Sequence, residues 1–383
     1  MTVRWEELAR SLADALEIED GLDTAWRECF ATVPRHRFVP KFLDANGEWV
    51  TESGDSSQWL GEVYADTNLI TQVRPSGAEA MSGKRPTSSS SMPGIMAWML
   101  QALDVTAGDT VLEIGTGTGY NAALLCQLLG SDHVTSIDID PDLIDAARYR
   151  LNAAGYTPTL ITGDGADGYP DNGPYDAILA TASVDHVPPD WIEQLNPGGR
   201  IVADLRGDFS GAMTTLRKIG DETVQGRCHS IDAAFMPMRR DVRYPLRHGA
   251  ANPLVIDRRN PQRATTSTDA QLVARLSDLR FIVELQLGAT RTELFTTDDE
   301  VVVTSIDASW ATATLKPDDC GLHQIQQGGP RRVWDSVEAA FRTWHSAGRP
   351  ALDDFGVTAS ADKHDQRVWL NTANSPHSWP LPI

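Results

Sequence analysis

The segment VLEIGTGTGY (residues 111–120) constrains the fold of this chain more than any other. Its first four residues predict a short buried strand, which Gly115, Gly117 and Gly119 follow before an apolar helix begins. Glycine permits a sharp turn and a close approach of the backbone to a ligand, and the free amides of a helix N-terminus attract polar groups. The sequence therefore predicts a nucleotide site between a strand and a helix.

The glycine spacing distinguishes this loop from the dinucleotide fingerprint GxGxxG. The third glycine of that fingerprint would fall at position 120, which is Tyr. The pattern E-x-G-x-G-x-G, which starts at Glu113, is the form used for S-adenosylmethionine. A tight turn without a ligand is the alternative. The candidate cofactor residues of this loop are Glu113, Gly115, Thr116, Gly117 and Gly119.

Two further strands end in acidic residues. Asp138 lies at the end of HVTSIDI (133–139), where a carboxylate can hold ribose hydroxyls. Asp164 lies in the GDG that ends the following strand, where it is able to accept a hydrogen bond from an adenine amino group. Each acid by itself would more often cap a loop, but together they strengthen the prediction. The candidates added here are Asp138, Ile139, Gly163, Asp164 and Gly165.

The order of elements predicts an α/β fold with an N-terminal helical segment and a C-terminal α+β extension. Strands and helices alternate from residue 110 to about 205, as in a parallel sheet covered by helices. Residues 46–92 lack periodicity and predict loops, and beyond about 245 RFIVELQL (280–287) predicts a strand. We divide the chain into an N-terminal helical and loop region (1–75), a cofactor-binding domain (76–242) and a C-terminal α+β module (243–383).

Composition excludes several classes of function. The formal net charge of −20 argues against a nucleic-acid partner, because phosphate backbones favour clustered Lys and Arg. No apolar run approaches the roughly 18 residues of a membrane span, and the N-terminus lacks the apolar core of a signal peptide. The four cysteines form neither a CxxC pair nor a Cys/His cluster. We therefore predict a cytoplasmic protein without a metal site, a nucleic-acid partner or a membrane contact.

The run PTSSSSMPGIMAWML (86–100) has three possible roles. Four serines in a row are typical of a flexible linker, and a serine before Pro93 is able to cap the apolar helix that this proline begins. The third role is a loop that delivers a hydroxyl group to an active site.

Seven motifs follow one another between residues 30 and 240: VPRHRFVP (33–40), YADTNLIT (64–71), SSMPGIMA (90–97), VLEIGTGTGY (111–120), GDGADGYP (163–170), GPYDAILATA (173–182) and QLNPGGRI (194–201). In their order and spacing they resemble the protein-L-isoaspartate O-methyltransferases. This resemblance implies a class I S-adenosylmethionine-dependent, Rossmann-like methyltransferase, with S-adenosylhomocysteine as product. It also implies that the serine run is a catalytic loop in which Ser91, with Ser90 as the alternative, lies beside the methyl group and the acceptor carboxylate. Met92 departs from the Gln or Ala of many members, so the substrate-side wall differs.

Four further motifs are TSSSSMP, AAFMPMR (233–239), VWDSVEAAFRTW and GRPALDDFGV. With them the whole chain resembles an extended subfamily that tailors ribosomally synthesised peptides, in the branch paired with the ATP-grasp ligases that crosslink graspetides. This implies methylation of an aspartate in a crosslinked precursor peptide, after which the ester closes to an aspartimide or isoaspartate. Subfamily members associated with lanthipeptides share the same general organisation, so the resemblance leaves both classes of peptide open.

Two competing functions remain open at the level of sequence. One is general isoaspartate repair, and the second is a non-catalytic binding protein that has kept the cofactor fold. The role of the C-terminal module is open in the same way, because it either recognises the peptide or serves stability or dimerisation.

Overall fold

The computed structural model describes residues 4–54, 56–75, 84–240, 260–362 and 364–381. Both predicted domain boundaries, at residues 76 and 243, lie outside these ranges.

The described residues form ten α-helices and nineteen strands. The helices are α1 Trp5–Asp20, α2 Thr24–Thr32, α3 Ser56–Val63, α4 Pro93–Leu103, α5 Tyr120–Leu129, α6 Pro141–Ala154, α7 Pro189–Glu193, α8 Ala270–Arg275, α9 Ser277–Leu287 and α10 Val333–Ser346. The strands are β1 Lys41–Leu43, β2 Trp49–Thr51, β3 Leu69–Pro75, β4 Lys84–Ser90, β5 Val111–Ile114, β6 Val134–Asp138, β7 Thr159–Thr162, β8 Tyr175–Val184, β9 Leu195–Arg206, β10 Gly211–Gly220, β11 Thr223–His229, β12 Gln262–Thr266, β13 Thr292–Thr296, β14 Glu300–Ser305, β15 Trp310–Thr314, β16 His323–Gly328, β17 Phe355–Ser360, β18 Gln366–Leu370 and β19 Ser378–Pro380.

A ten-stranded sheet confirms the predicted α/β class. Its strand order is β19-β18-β17-β11-β10-β9-β8-β5-β6-β7, and the pairs from β9 to β7 are parallel. Every residue of β5 and of β6 is buried, as expected for central parallel strands covered on both faces. Successive side chains of β5 point to opposite faces of the sheet. Val111 therefore belongs to the apolar core that includes helices α1 and α2, and Leu112 belongs to the core on the other face, which includes helices α9 and α10. This packing sets the carboxyl ends of β5 and β6 side by side.

The C-terminal region is joined to the central sheet rather than separate from it. Strand β17 pairs with β11, and β18 and β19 continue the same sheet. A second, five-stranded sheet of order β12-β16-β15-β14-β13 and helices α8 to α10 complete the region. The strand predicted at 280–287 is wrong, because these residues form α9. Its apolar side chains are buried all round, and a short apolar run does not distinguish a buried helix from a strand.

The loops predicted for residues 46–92 are also wrong. This stretch contributes α3 and three strands of a four-stranded sheet of order β2-β1-β3-β4. Ser88, Ser89 and Ser90 lie within β4 and pair with β3, so this part of the serine run is strand and not a linker. Ser91 follows the strand, in the short connection between β4 and α4. The helix-cap alternative is also wrong, since the residue before α4 is Met92 and not a serine. Small polar residues carry no hydrophobic alternation, which hid the strand in the sequence.

Candidate active site

A cavity opens at the carboxyl ends of β5 and β6, beside the glycine loop. It encloses about 650 Å³ of space free of protein atoms, part of it open to solvent. Gly117 lies in its wall with φ of +51°, a conformation that favours glycine. A Cβ atom built there would lie 3.6 Å from Ser88 Oγ and from Ser89 O, in ordinary van der Waals contact with β4. Because glycine has no side chain, the loop backbone itself forms this part of the cavity wall.

Asp138 presents a carboxylate in the same wall. Its Oδ2 accepts a hydrogen bond from the Gly117 amide at 2.9 Å, and its Oδ1 accepts one from the Asp140 amide at 3.0 Å. Burial raises the pKa of Asp138, and these two amides and the nearby Arg239 oppose that rise. The amides fix the direction of a carboxylate that is able to accept hydrogen bonds from ribose hydroxyls.

Five of the ten predicted cofactor residues lie in the cavity wall: Gly115, Gly117, Asp138, Ile139 and Gly165. Glu113 lies beneath the wall, fully buried, where its carboxylate accepts hydrogen bonds from Asn121 and Ser136. Burial raises the pKa of Glu113 to about 7, although those hydrogen bonds oppose the rise. The Thr116 hydroxyl is also buried and shares a 2.6 Å hydrogen bond with Ser136. These two residues support the glycine loop from below.

The remaining three predicted residues are outside the wall. Gly119 allows close packing of the loop on α6, because an added Cβ would approach the Ala147 Cβ to 3.1 Å. Gly163 packs against Ile137. Asp164 Oδ1 accepts a hydrogen bond from the Ala166 amide at 2.9 Å, which is the loop-capping role.

A second cavity adjoins the first and encloses about 950 Å³, again partly open to solvent. Ser89, Ser91, Thr181 and Met236 line both cavities and so form a common wall. The other residues around the second cavity are Asn68, Ile70, Pro86, Met92, Ile95, Asp232, Ala233, Ala234 and Phe235. Asp232 is the one charged residue in this described lining. Two sites that share a wall suit a reaction between two bound molecules.

The two predicted catalytic serines occupy different environments. Ser91 lies in the common wall. Ser90 is only 3% exposed, and its hydroxyl accepts a hydrogen bond from Arg35 at 3.3 Å. Of the two, Ser91 is therefore the one whose position faces both cavities.

The prediction from sequence missed Arg35 and Asp66. The fully buried Arg35 guanidinium donates to Ser91 O at 3.0 Å and stacks over the Tyr120 ring, with its Cζ 5.6 Å from the ring centre. Burial lowers the pKa of Arg35 to about 10, so it stays charged at neutral pH. Asp66 accepts a hydrogen bond from the Gly94 amide at 2.7 Å, which fixes the start of α4. Both residues belong to motifs that signalled the resemblance, VPRHRFVP and YADTNLIT.

Residues 233–239, AAFMPMR, were also missed as part of the site. This segment crosses the carboxyl ends of β8 and β9 and covers both cavities. The Phe235 amide donates to Asp204 at 2.9 Å, and Ser183 exchanges two 2.9 Å backbone hydrogen bonds with Met236 and Met238. Side chains of this segment therefore complete the walls that the sheet leaves open.

Metal ligands and membrane-spanning helices are both missing from the part of the chain that the structure describes. There, no group of three or more His, Cys, Asp or Glu side chains is arranged to hold a metal ion. No helix among the same residues combines the length and apolarity of a membrane span. The cytoplasmic location stays a prediction.

Comparison with known proteins gives consistent matches. The family model "Protein-L-isoaspartate(D-aspartate) O-methyltransferase (PCMT)" matches residues 60–242. A protein-L-isoaspartate O-methyltransferase 2 of Archaeoglobus fulgidus is 36% identical over 248 residues, which span 63% of this chain and 99% of the relative. One from Ignicoccus hospitalis is 45% identical over 177 residues, 46% of this chain and 70% of that relative. A solved structure titled protein-L-isoaspartate O-methyltransferase covers 94% of this chain and 99% of its own, with a TM-score of 0.54 at 21% identity.

Proposed function

This chain belongs to the protein-L-isoaspartate(D-aspartate) O-methyltransferase family, and we propose that it methylates an aspartate side-chain carboxylate in a ribosomally synthesised, crosslinked precursor peptide. The observation that carries methyl transfer to a bound peptide is the wall shared by the two cavities, in which Ser91 lies. One cavity takes the methyl donor and the other takes the acceptor residue.

The first cavity fits S-adenosylmethionine. The bare backbone at Gly117 admits a ligand, and Asp138 offers a carboxylate for ribose hydroxyls. Apolar side chains of Ile137, Ile139 and Leu143 provide a surface for a planar base. When bound, S-adenosylmethionine supplies an electrophilic methyl group on a sulfonium that is also the leaving group.

The acceptor carboxylate needs no general base. A free carboxyl group has a pKa near 4, so at neutral pH it is already the nucleophile. What the chain contributes is alignment of the carboxylate and exclusion of water, and proximity alone supplies roughly 7–11 kcal/mol. The Ser91 hydroxyl donates a hydrogen bond to one carboxylate oxygen, and Arg35 holds the Ser91 backbone in place.

The ester then reacts without further catalysis. The backbone nitrogen that follows the methylated residue attacks the ester carbonyl, loses its proton and expels methoxide, which leaves as methanol. The product is a succinimide, here an aspartimide, whose hydrolysis gives aspartate or isoaspartate.

Two considerations support a crosslinked peptide as the acceptor. The motifs TSSSSMP and AAFMPMR resemble the graspetide branch, and both lie at the two cavities. Crosslinking consumes carboxylates, so a cyclised peptide is repelled less by a protein of charge −20 whose acceptor cavity carries Asp232.

The alternative function is general repair of isoaspartyl residues. The relatives carry that enzyme's name, and the fold likeness to a solved structure takes in 94% of this chain. The C-terminal region therefore does not by itself argue for peptide tailoring. Its role in peptide recognition is part of the proposal.

Mass spectrometry with three acceptors distinguishes these functions. The purified protein and S-adenosylmethionine are incubated with a generic isoaspartyl peptide, a linear precursor encoded nearby and the same precursor after crosslinking. Methylation and subsequent methanol loss on the crosslinked precursor alone support tailoring. Methylation of the generic peptide alone supports repair, and equal turnover of the linear and crosslinked precursors excludes a requirement for the crosslink.

A further inference from the structure

Two side chains of β3 reach across to a buried carboxylate beside the cofactor cavity. Arg74 Nη2 lies 2.7 Å from Asp140 Oδ2, and Gln72 Nε2 donates to the same oxygen at 3.2 Å. The Asp140 side chain is fully buried, whereas that of Arg74 is 37% exposed. These residues lie outside the chemistry of the proposed methyl transfer.

Asp140 is directly linked to the wall that contains Asp138. Its backbone amide donates to Asp138 Oδ1 at 3.0 Å, and its own Oδ1 accepts from the Asp142 amide at 3.1 Å. Three carboxylates thus lie within five residues, and Arg74 is 3.6 Å from Asp142 as well. Breaking a buried ion pair by removing one partner is costly, because the remaining charge is left uncompensated.

Gln72 also contacts the opposite wall of the cavity. Its Oε1 accepts a 2.6 Å hydrogen bond from the Thr87 hydroxyl, and Thr87 lines the cavity on β4. The Thr87 carbonyl in turn accepts from Arg239 at 3.3 Å. Strand β4 continues directly into Ser91. Gln72 and Arg74, which together form the β3 brace, therefore bridge the Asp138 wall and the strand that leads to the common wall.

We propose that Gln72 and Arg74 are positioning residues that hold the Asp138 wall of the cofactor cavity in register with β4 and Ser91. The proposal rests on the proposed function, because it requires the cofactor to bind in this cavity. Neither residue needs to touch the ligand, because both act through Asp140 and Thr87.

Substitutions of Arg74 and of Gln72 should affect the cofactor cavity in different ways. Arg74→Ala leaves the Asp140 carboxylate buried without its cation, so the turn that carries Asp138 rearranges to hydrate it. Replacing Asp140 by Asn in the same protein removes the uncompensated charge and restores the turn. Gln72→Leu keeps the side-chain volume and the Arg74 ion pair but removes both hydrogen bonds of Gln72, the one to Asp140 and the one from Thr87.

Titration calorimetry with S-adenosylhomocysteine tests the brace on the full-length protein. We expect the Kd to rise about tenfold in Arg74→Ala, about threefold in Arg74→Lys and in Gln72→Leu, and to return within threefold of the unaltered protein in Arg74→Ala/Asp140→Asn. Arg331→Ala is the control, because Arg331 is about as exposed as Arg74 and its ion pair is made with Asp307, a partly exposed residue far along the chain. Its Kd stays within twofold.

Two results would overturn the brace: an Arg74→Ala Kd within twofold of the unaltered protein, or a double variant that binds no tighter than Arg74→Ala. Melting temperatures of all variants separate a loss of folding from a loss of affinity, and Gln72→Leu provides a readout that leaves the buried charge intact. If the unaltered protein fails to bind S-adenosylhomocysteine, the cofactor site itself is wrong and the brace proposal falls with it.

Discussion

Arg35 Nη2 donates a hydrogen bond to the backbone carbonyl of Ser91 at 3.0 Å, across 56 residues of sequence. The same guanidinium reaches the hydroxyl of Ser90 and the carbonyls of Ala65 and Thr67. One buried cation thus joins the N-terminal region to the strand that carries the serine run. The position of Ser91 therefore depends on a residue that touches neither cavity.

We predict that Arg35→Lys lowers kcat about tenfold. Lysine keeps the charge but lacks the planar fork that bonds several oxygens at once, so the Ser91 backbone loses its fixed position. Steady-state kinetics at saturating S-adenosylmethionine measures the effect. Arg37→Ala is the control, because Arg37 is a neighbouring exposed residue. Unchanged kcat in Arg35→Lys would contradict this role.

Ser91→Ala should lower kcat/KM for the peptide by about 10- to 100-fold. A hydrogen bond to a charged group contributes about 1.5–3 kcal/mol, and the hydrogen bond that we propose for Ser91 is made to the acceptor carboxylate. The Kd for S-adenosylhomocysteine should stay within twofold. Ser90→Ala provides the comparison, and a larger loss of kcat/KM in Ser90→Ala than in Ser91→Ala would reverse the assignment.

Glu113 gives the protein a specific pH dependence. Its pKa is raised to about 7 in the folded state from an ordinary 4.5, so between these values the folded state holds a proton that the unfolded chain has lost. The free energy of unfolding therefore falls as pH rises through this window, by up to about 1.4 kcal/mol per unit for this group. Glu113→Gln should flatten that slope. Urea unfolding at pH 5 and pH 7 measures the change of the unfolding free energy with pH in the unaltered protein and in Glu113→Gln. An equal change in the two proteins would contradict the assignment.

Asp232→Lys should reverse the charge preference of the acceptor cavity. The unaltered cavity carries an exposed carboxylate, so we expect the unaltered protein to disfavour peptides with Glu beside the acceptor residue. We expect the ratio of kcat/KM for Lys-flanked over Glu-flanked peptides to fall about tenfold in the variant. Asp221→Lys makes the same charge change at an exposed turn between β10 and β11. An equal fall in both variants would show an effect of net charge rather than of the cavity.

The cofactor side of the site was more predictable from sequence than the acceptor side. The glycines and Asp138 lie at strand ends with a fixed spacing, so local patterns found them. Tertiary packing alone brings three other parts of the site into place: Arg35, Asp232 and the segment 233–239. No local sequence pattern reveals such packing. The buried helix α9 and the polar strand β4 were missed for a related reason. The apolar residues of α9 form a short run without a clear helical period, and β4 lacks apolar alternation.

The most direct test is tandem mass spectrometry of the peptide product formed by the full-length protein and S-adenosylmethionine, with the isoaspartyl peptide and the crosslinked precursor as parallel acceptors. The two-cavity account predicts that the unaltered protein forms a methyl ester on an aspartyl or isoaspartyl carboxylate of the peptide, and that the Ser91→Ala variant forms much less of this ester. A methyl group found on another atom, or no methylation of either peptide by a folded protein that binds S-adenosylhomocysteine, would contradict it.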